Sequence, residues 1–172
     1  MLLLPILFMR LAITGTPGTG KTAIAKALGQ KIGHRALNEK ELALQHGIGE
    51  WDAEENELVV PLKKLEKAAN SLLKKEQKVI IEGHLLCEMK LKADFVVVLR
   101  LHPELLEERL SRKRYSPEKI MDNVFCEGID YCKKHALRNY RKEKVLDVQA
   151  QKTIKETMQL IISKLKRKGA EI

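Results

Sequence analysis

A chain of 172 residues, 44% apolar and 32% charged, has the composition of a globular protein with room for one sizeable core, which excludes a disordered or fibrous class. With only 4% aromatic residues, base stacking on aromatic platforms is excluded as the main activity. The net charge of +9 leaves two readings open, attraction of anionic partners such as nucleotides or RNA, or a lysine-rich solubilising surface.

In chain order, the opening "MLLLPILF" is apolar for eight residues only and lacks a basic lead and a cleavage site. It is too short for a secretory signal or a bilayer span, so residues 1–8 are expected to form an extra tail. Met9–Thr14 reads as a buried strand feeding a glycine loop, and Lys21–Lys31 as a helix stopped near Gly33. A short strand at Arg35–Leu37 and a helix at Glu39–His46 follow. Gly47–Glu57, with five acids and no base, reads as a loop, and Pro61 opens a helix through Glu76. Lys78–Gly83 and Asp94–Arg100 are apolar strands, and Pro103 starts a helix to about Arg112. After the basic run "RKRYSPEK", one long helix is expected from Pro117 to about Arg141, then a strand "KVLDV" and a closing helix, Thr153–Lys168. Five strands interleaved with helices predict an α/β fold, a parallel sheet covered on both faces, in one domain spanning 1–172. Cys87, Cys126 and Cys132 have no CxxC spacing and read as buried packing residues in a reducing cytoplasm.

Chemistry concentrates in Gly15-Thr-Pro-Gly-Thr-Gly20-Lys21-Thr22, which satisfies G-x-x-x-x-G-K-[ST] with a strand before it and a helix after it. Glycines let the backbone wrap an anion with its N–H groups pointing inward, and the following helix adds its positive N-terminal dipole. Lys21 is expected to reach the β- and γ-phosphates of ATP, and the Thr22 hydroxyl to ligate Mg²⁺. The strand-end Glu82 in "KVIIEGH" is the expected magnesium-side acid. His84 has two readings: a neutral imidazole orienting water or an acceptor hydroxyl, or a loop histidine bonded to backbone. "ERLSRKRYSPEK" places Arg109, Arg112, Lys113 and Arg114 together, as a mobile cationic lid over the nucleotide or as a solvated helix end. Arg109 and Lys113, four apart, share a face if the helix persists, and Arg141 is expected to reach back to the phosphates.

With the loop, the Glu82-Gly83-His84 turn and "ERLSRKRY", the chain resembles the adenylate kinase isoenzyme 6 family of nucleoside monophosphate kinases from archaea and eukaryotes. The resemblance covers Met9 to about Val148, and "RYSPEKIMDNVFCE" is its most specific part. It implies a P-loop NTPase fold of five parallel strands ordered 2-3-1-4-5, an NMP-binding segment at about 38–61 and a short lid at about 112–122. It also implies phosphate transfer between ATP and AMP, ATPase activity, and maturation of the small ribosomal subunit with a ribosomal protein of the uS11 type. The ATP contacts carried over are Gly18, Gly20, Lys21, Thr22 and Ala23, with Lys113 at the place of a lid arginine; Gly15 and Thr19 of the phosphate loop complete the expected nucleotide-binding set. A cytoplasmic monomer is the family expectation.

The chain departs from that pattern at several positions. Glu82 stands where the family has Asp, and Arg114 replaces the glycine before the lid tyrosine. Leu44 stands where an arginine would grip AMP phosphate, and the turn after Glu82 lacks the Pro-Arg of ordinary adenylate kinases. Without a bidentate arginine the acceptor is held weakly, so slow AMP phosphorylation beside ATP hydrolysis is expected. A small-metabolite kinase of the shikimate-kinase type is the alternative. The acidic strip around Trp51 fits a basic protein partner or a solvated rim, and the basic "SKLKRKGAEI" fits contact with ribosomal RNA or a solvated helix end.

Overall fold

The computed structural model describes residues 8–54, 56–170 and 172, so the expected tail lies outside the described residues except for Phe8. Five strands form one parallel sheet: β1 (Met9–Thr14), β2 (Arg35–Asn38), β5 (Lys78–Glu82), β6 (Phe95–Arg100) and β7 (Val145–Gln149). Their spatial order is β2-β5-β1-β6-β7. Counted along the chain within this sheet, that is the expected 2-3-1-4-5.

Side chains alternate across the sheet with period two, so each strand feeds both faces. Met9, Leu11 and Ile13 of β1, with Val97 and Leu99 of β6, pack against Ile24, Ala25 and Leu28 of α1 (Lys21–Ile32) and Ile161 and Leu165 of α7 (Ile154–Arg167). Ala12, Val79, Ile81, Val96 and Val98 face the other way. They meet α2 (Glu39–Gln45), α3 (Leu62–Lys75) and α6 (Tyr131–Asn139). A smaller cluster of Leu101, Leu106 and Leu110 joins α4 (Pro103–Arg112) to Ile120 and Val124 of α5 (Pro117–Gly128). Full burial of each such side chain contributes about 1.5–3 kcal/mol. Among the described residues, no helix is long and apolar enough to cross a membrane.

Two expectations are corrected. The acidic segment 47–57 is not a loop throughout: Glu50–Asp52 (β3) and Glu57–Val59 (β4) pair antiparallel as a small hairpin, Trp51 opposite Leu58. The expected helix from Pro117 to Arg141 is two helices, because Asp130 between them takes the left-handed conformation with φ 60°. Of the three thiols, Cys87 and Cys132 are buried as expected, while Cys126 is only half-buried.

Parallel register brings the reactive residues level. Asn38 lies opposite Glu82, and Glu82 opposite Ile13, all at the C-terminal edge of the sheet. That edge is where an open α/β sheet offers a crevice for a ligand.

Candidate active site

The loop Gly15–Gly20 leaves β1 and folds around a single carbonyl. Thr16 O accepts from Thr19 Oγ1 at 2.9 Å and from Lys21 Nζ at 3.0 Å. Gly18 and Gly20 have φ 93° and 101°, a conformation that glycine takes without strain. A Cβ on Gly18 would lie 2.8 Å from the side chains of Leu106 and Leu110, and one on Gly15 would lie 2.3 Å from Leu99 O. The loop is therefore seated directly on α4 and β6. Helix α1 begins at Gly20 with no side-chain cap and no acid in its first turn. Its leading N–H groups and dipole are left to an external anion.

Lys21 is buried, and burial lowers its pKa against the opposing charges of Glu39 and then Glu82. Its ammonium donates to Thr16 O and is the buried cation of the loop. Thr22 Oγ1 donates to Glu82 Oε1 at 2.8 Å, and Asn38 Nδ2 donates to the same oxygen at 2.6 Å. The structure thus brings together Gly15, Gly18, Thr19, Gly20, Lys21, Thr22 and Glu82, with Ala23 following in the first turn of α1. His84 stands two residues beyond Glu82, its Nδ1 2.8 Å from Glu39 Oε1.

The lid cations divide. Arg109 reaches the loop, its Nη1 3.5 Å from Thr19 O. Arg112 pairs with Glu108 on the outer side of α4. Lys113 continues the helical path, its N–H bonded to Arg109 O at 3.2 Å, and Lys113 and Arg114 are both exposed at the end of α4. Arg141 is not brought to the loop. It precedes Val145, the first residue of β7, and so lies toward the N-terminal edge of the sheet, opposite the phosphate loop.

Sequence reading missed four residues. Asn38 buttresses Glu82, and Glu39 is buried against the turn after it. Glu127, 1% exposed, accepts from Thr16 Oγ1 at 2.6 Å, Arg100 Nε at 2.8 Å and Leu101 N at 3.0 Å. Arg100 also pairs with Asp130, tying the loop to the α5–α6 break. Glu127 is the last residue of the quoted "RYSPEKIMDNVFCE", and Asn38 and Glu39 open the expected NMP segment at about 38–61, but neither signal assigned any of the four a role.

Comparison with known proteins shows the family and the fold. Residues 11–130 match the family model described as an AAA domain. A Thermococcus kodakarensis protein is 39% identical over 160 residues, covering 92% of this chain and 86% of that one. A Methanocaldococcus jannaschii protein is 32% identical over 162 residues, covering 94% and 90%. Both carry the name "Putative adenylate kinase". Shikimate kinase from Bacteroides thetaiotaomicron superposes with a TM-score of 0.67 at 18% identity, over 92% of this chain and 98% of that one, a likeness of fold alone. Sequence, loop and sheet order together place the chain in the adenylate-kinase-like family of P-loop proteins that these archaeal relatives share.

Proposed function

We propose that the chain is a nucleoside monophosphate kinase that transfers phosphate from ATP to AMP slowly and hydrolyses ATP in the acceptor's absence. The observation that carries this reading is the convergence on Glu82 Oε1 of Thr22 from the phosphate loop and Asn38 from the segment that would hold the acceptor. The donor set suits Mg²⁺: a hydroxyl and a carboxylate oxygen 2.8 Å apart are hard ligands beside an anion-wrapping loop. Among the described residues no cluster of His, Cys, Asp or Glu holds a metal by itself, so the ion would arrive with the nucleotide. Thr22 and Glu82 would hold it, and it would neutralise charge on the β- and γ-phosphates.

The remaining work falls to the chain. Loop N–H groups and Lys21 hold the triphosphate, and Arg109 beside Thr19 meets the charge that develops on the transferred group. The lid end of α4, with Lys113, Arg112 and Arg114, closes toward it, and His84 orients the accepting oxygen. Slow transfer to AMP follows from electrostatics. Residues 38–61 carry seven acids against one lysine, Lys40, and Leu44 is exposed where an arginine would be useful. A phosphate-bearing acceptor is weakly held there.

The test is to incubate the protein with ATP and Mg²⁺, with and without AMP, and resolve the products. ADP forms in both arms, with only modest stimulation by AMP, and Lys21→Ala abolishes both. ADP that forms only once a hydroxylated metabolite is added would instead mean a kinase of the shikimate-kinase type.

The resemblance to the isoenzyme 6 family supports a further role in small-subunit maturation, with a uS11-type ribosomal protein as partner and contact with ribosomal RNA through the basic C-terminal stretch. The hairpin β3–β4 supports the protein partner: Trp51 is 62% exposed on a strip carrying Glu50, Asp52, Glu54 and Glu57. Three free cysteines support a reducing cytoplasmic compartment.

A further inference from the structure

Glu39 opens α2, yet its side chain is only 3% exposed. A buried carboxylate is costly unless its oxygens are satisfied. Among the described residues, all its hydrogen-bond partners come from one turn 45 residues onward. Oε1 accepts from His84 N at 3.0 Å and lies 2.8 Å from His84 Nδ1, and Oε2 accepts from Leu85 N at 3.1 Å. Helix α2 does not need Glu39 as its cap, because Asn38 Oδ1 already accepts from Lys40 N at 2.8 Å. Gly83 makes the space: a Cβ there would lie 1.9 Å from Glu39 Oε2. The turn is built around this carboxylate, and Glu39 and Glu82 are the charges that act most on Lys21.

We propose that Glu39 is the positioning residue of His84, accepting the proton on Nδ1 and so leaving Nε2 as a lone pair for the hydroxyl or water that receives the phosphoryl group. This rests on the phosphoryl-transfer reading above. A neutral imidazole has one donor and one acceptor nitrogen, and an ionised carboxylate accepts only. The contact at Nδ1 therefore dictates the state of Nε2. The side chain is 41% exposed, open to an incoming acceptor. What matters is which ring nitrogen carries the proton, not the pH at which the ring titrates. An orienting carboxylate fixes a catalytic imidazole in the same way in hydrolytic triads.

Glu39→Gln separates positioning from packing. The amide oxygen, at the Oε2 position, still accepts from Leu85 N, while the NH₂ at the Oε1 position gives up the His84 N–H bond, donates to Nδ1 and drives the ring proton to Nε2. Nitrogen-15 NMR of the imidazole in alkaline buffer reads the tautomer directly. The expected result is Nδ1–H in the unmodified protein and Nε2–H in the variant. Turnover of ATP then falls about 10- to 100-fold, and the substitution adds nothing in a His84→Ala background. An Nε2–H ring in the unmodified protein overturns the proposal, as does an equal loss of turnover with His84 already removed. If the unmodified protein turned over no ATP, the phosphoryl-transfer reading would fall, and the ring spectra would still decide between Glu39 as orienter and Glu39 as mere packing.

Discussion

Arg114 holds φ 58°, a conformation that favours glycine. Helix α4 stops there in a left-handed turn: Arg114 N bonds to Ser111 O at 3.0 Å and Tyr115 N to Leu110 O at 3.3 Å. An L side chain pays for that conformation in Cβ contacts, and only part of the cost is recovered because arginine loses less backbone freedom than glycine on folding. Arg114→Gly is therefore expected to stabilise the fold by about 0.5–1 kcal/mol, read as a higher urea midpoint. A lower midpoint would mean that the arginine side chain makes a contact worth more than the strain. At this scale the phosphate loop was legible because its signals are local: glycines, lysine and threonine within eight consecutive positions. Glu39 was not, because its meaning lies in a turn that only the parallel pairing of β2 with β5 brings alongside. In the sequence it is one acid among many at a helix start.

Strands and helices were legible wherever apolar periodicity decided them, as in β1, β5 and β6, whose near-continuous apolar runs signal burial on both faces. The hairpin β3–β4 was hidden because Glu50, Asp52 and Glu57 interrupt its apolar residues and Leu58 alone of them packs against the core, so no alternation of buried apolar side chains marks it. The α5–α6 break had one local signal, Gly128 at the end of α5, but the left-handed turn at Asp130 is held by Arg100 from β6, across the fold. The hairpin is also the element on which the partner proposal turns. Glu50 and Glu57 are exposed, and exposed charges act on the encounter of two proteins more than on the grip once they are docked. Converting the acids of 50–57 to amides should therefore slow association with a basic uS11-type protein about ten-fold or more, with a shallower dependence on salt and little change in dissociation. Surface-plasmon traces at several ionic strengths provide the check, and unchanged association would remove the hairpin as the docking element.

Across the whole molecule the sheet separates two tasks. Its C-terminal edge carries the phosphate loop, Glu82 and Asn38, and its N-terminal edge carries a structural ion pair that is independent of them. There Asp94 accepts from Arg10 N at 2.8 Å, Nε at 3.0 Å and Nη2 at 2.6 Å, and its own N–H returns a bond to Arg10 O at 2.8 Å. Burial alone would raise the Asp94 carboxyl, but the hydrogen bonds and charge of Arg10, helped by Lys144, outweigh it and hold the pKa below the ordinary carboxylate value. A carboxyl depressed in the native state adds stability above its unfolded value of about 3.9 and loses it as pH falls through the lower native value. Asp94→Asn should therefore lower the urea midpoint at neutral pH and flatten its decline in the acid range, since the proton-linked part of the transition is gone. Because the pair sits at the edge remote from the phosphate loop, nucleotide affinity at neutral pH should be unchanged. Parallel midpoint-against-pH curves for the two proteins would show that Asp94 contributes nothing proton-linked, and a lost nucleotide affinity would show that the two edges of the sheet are coupled.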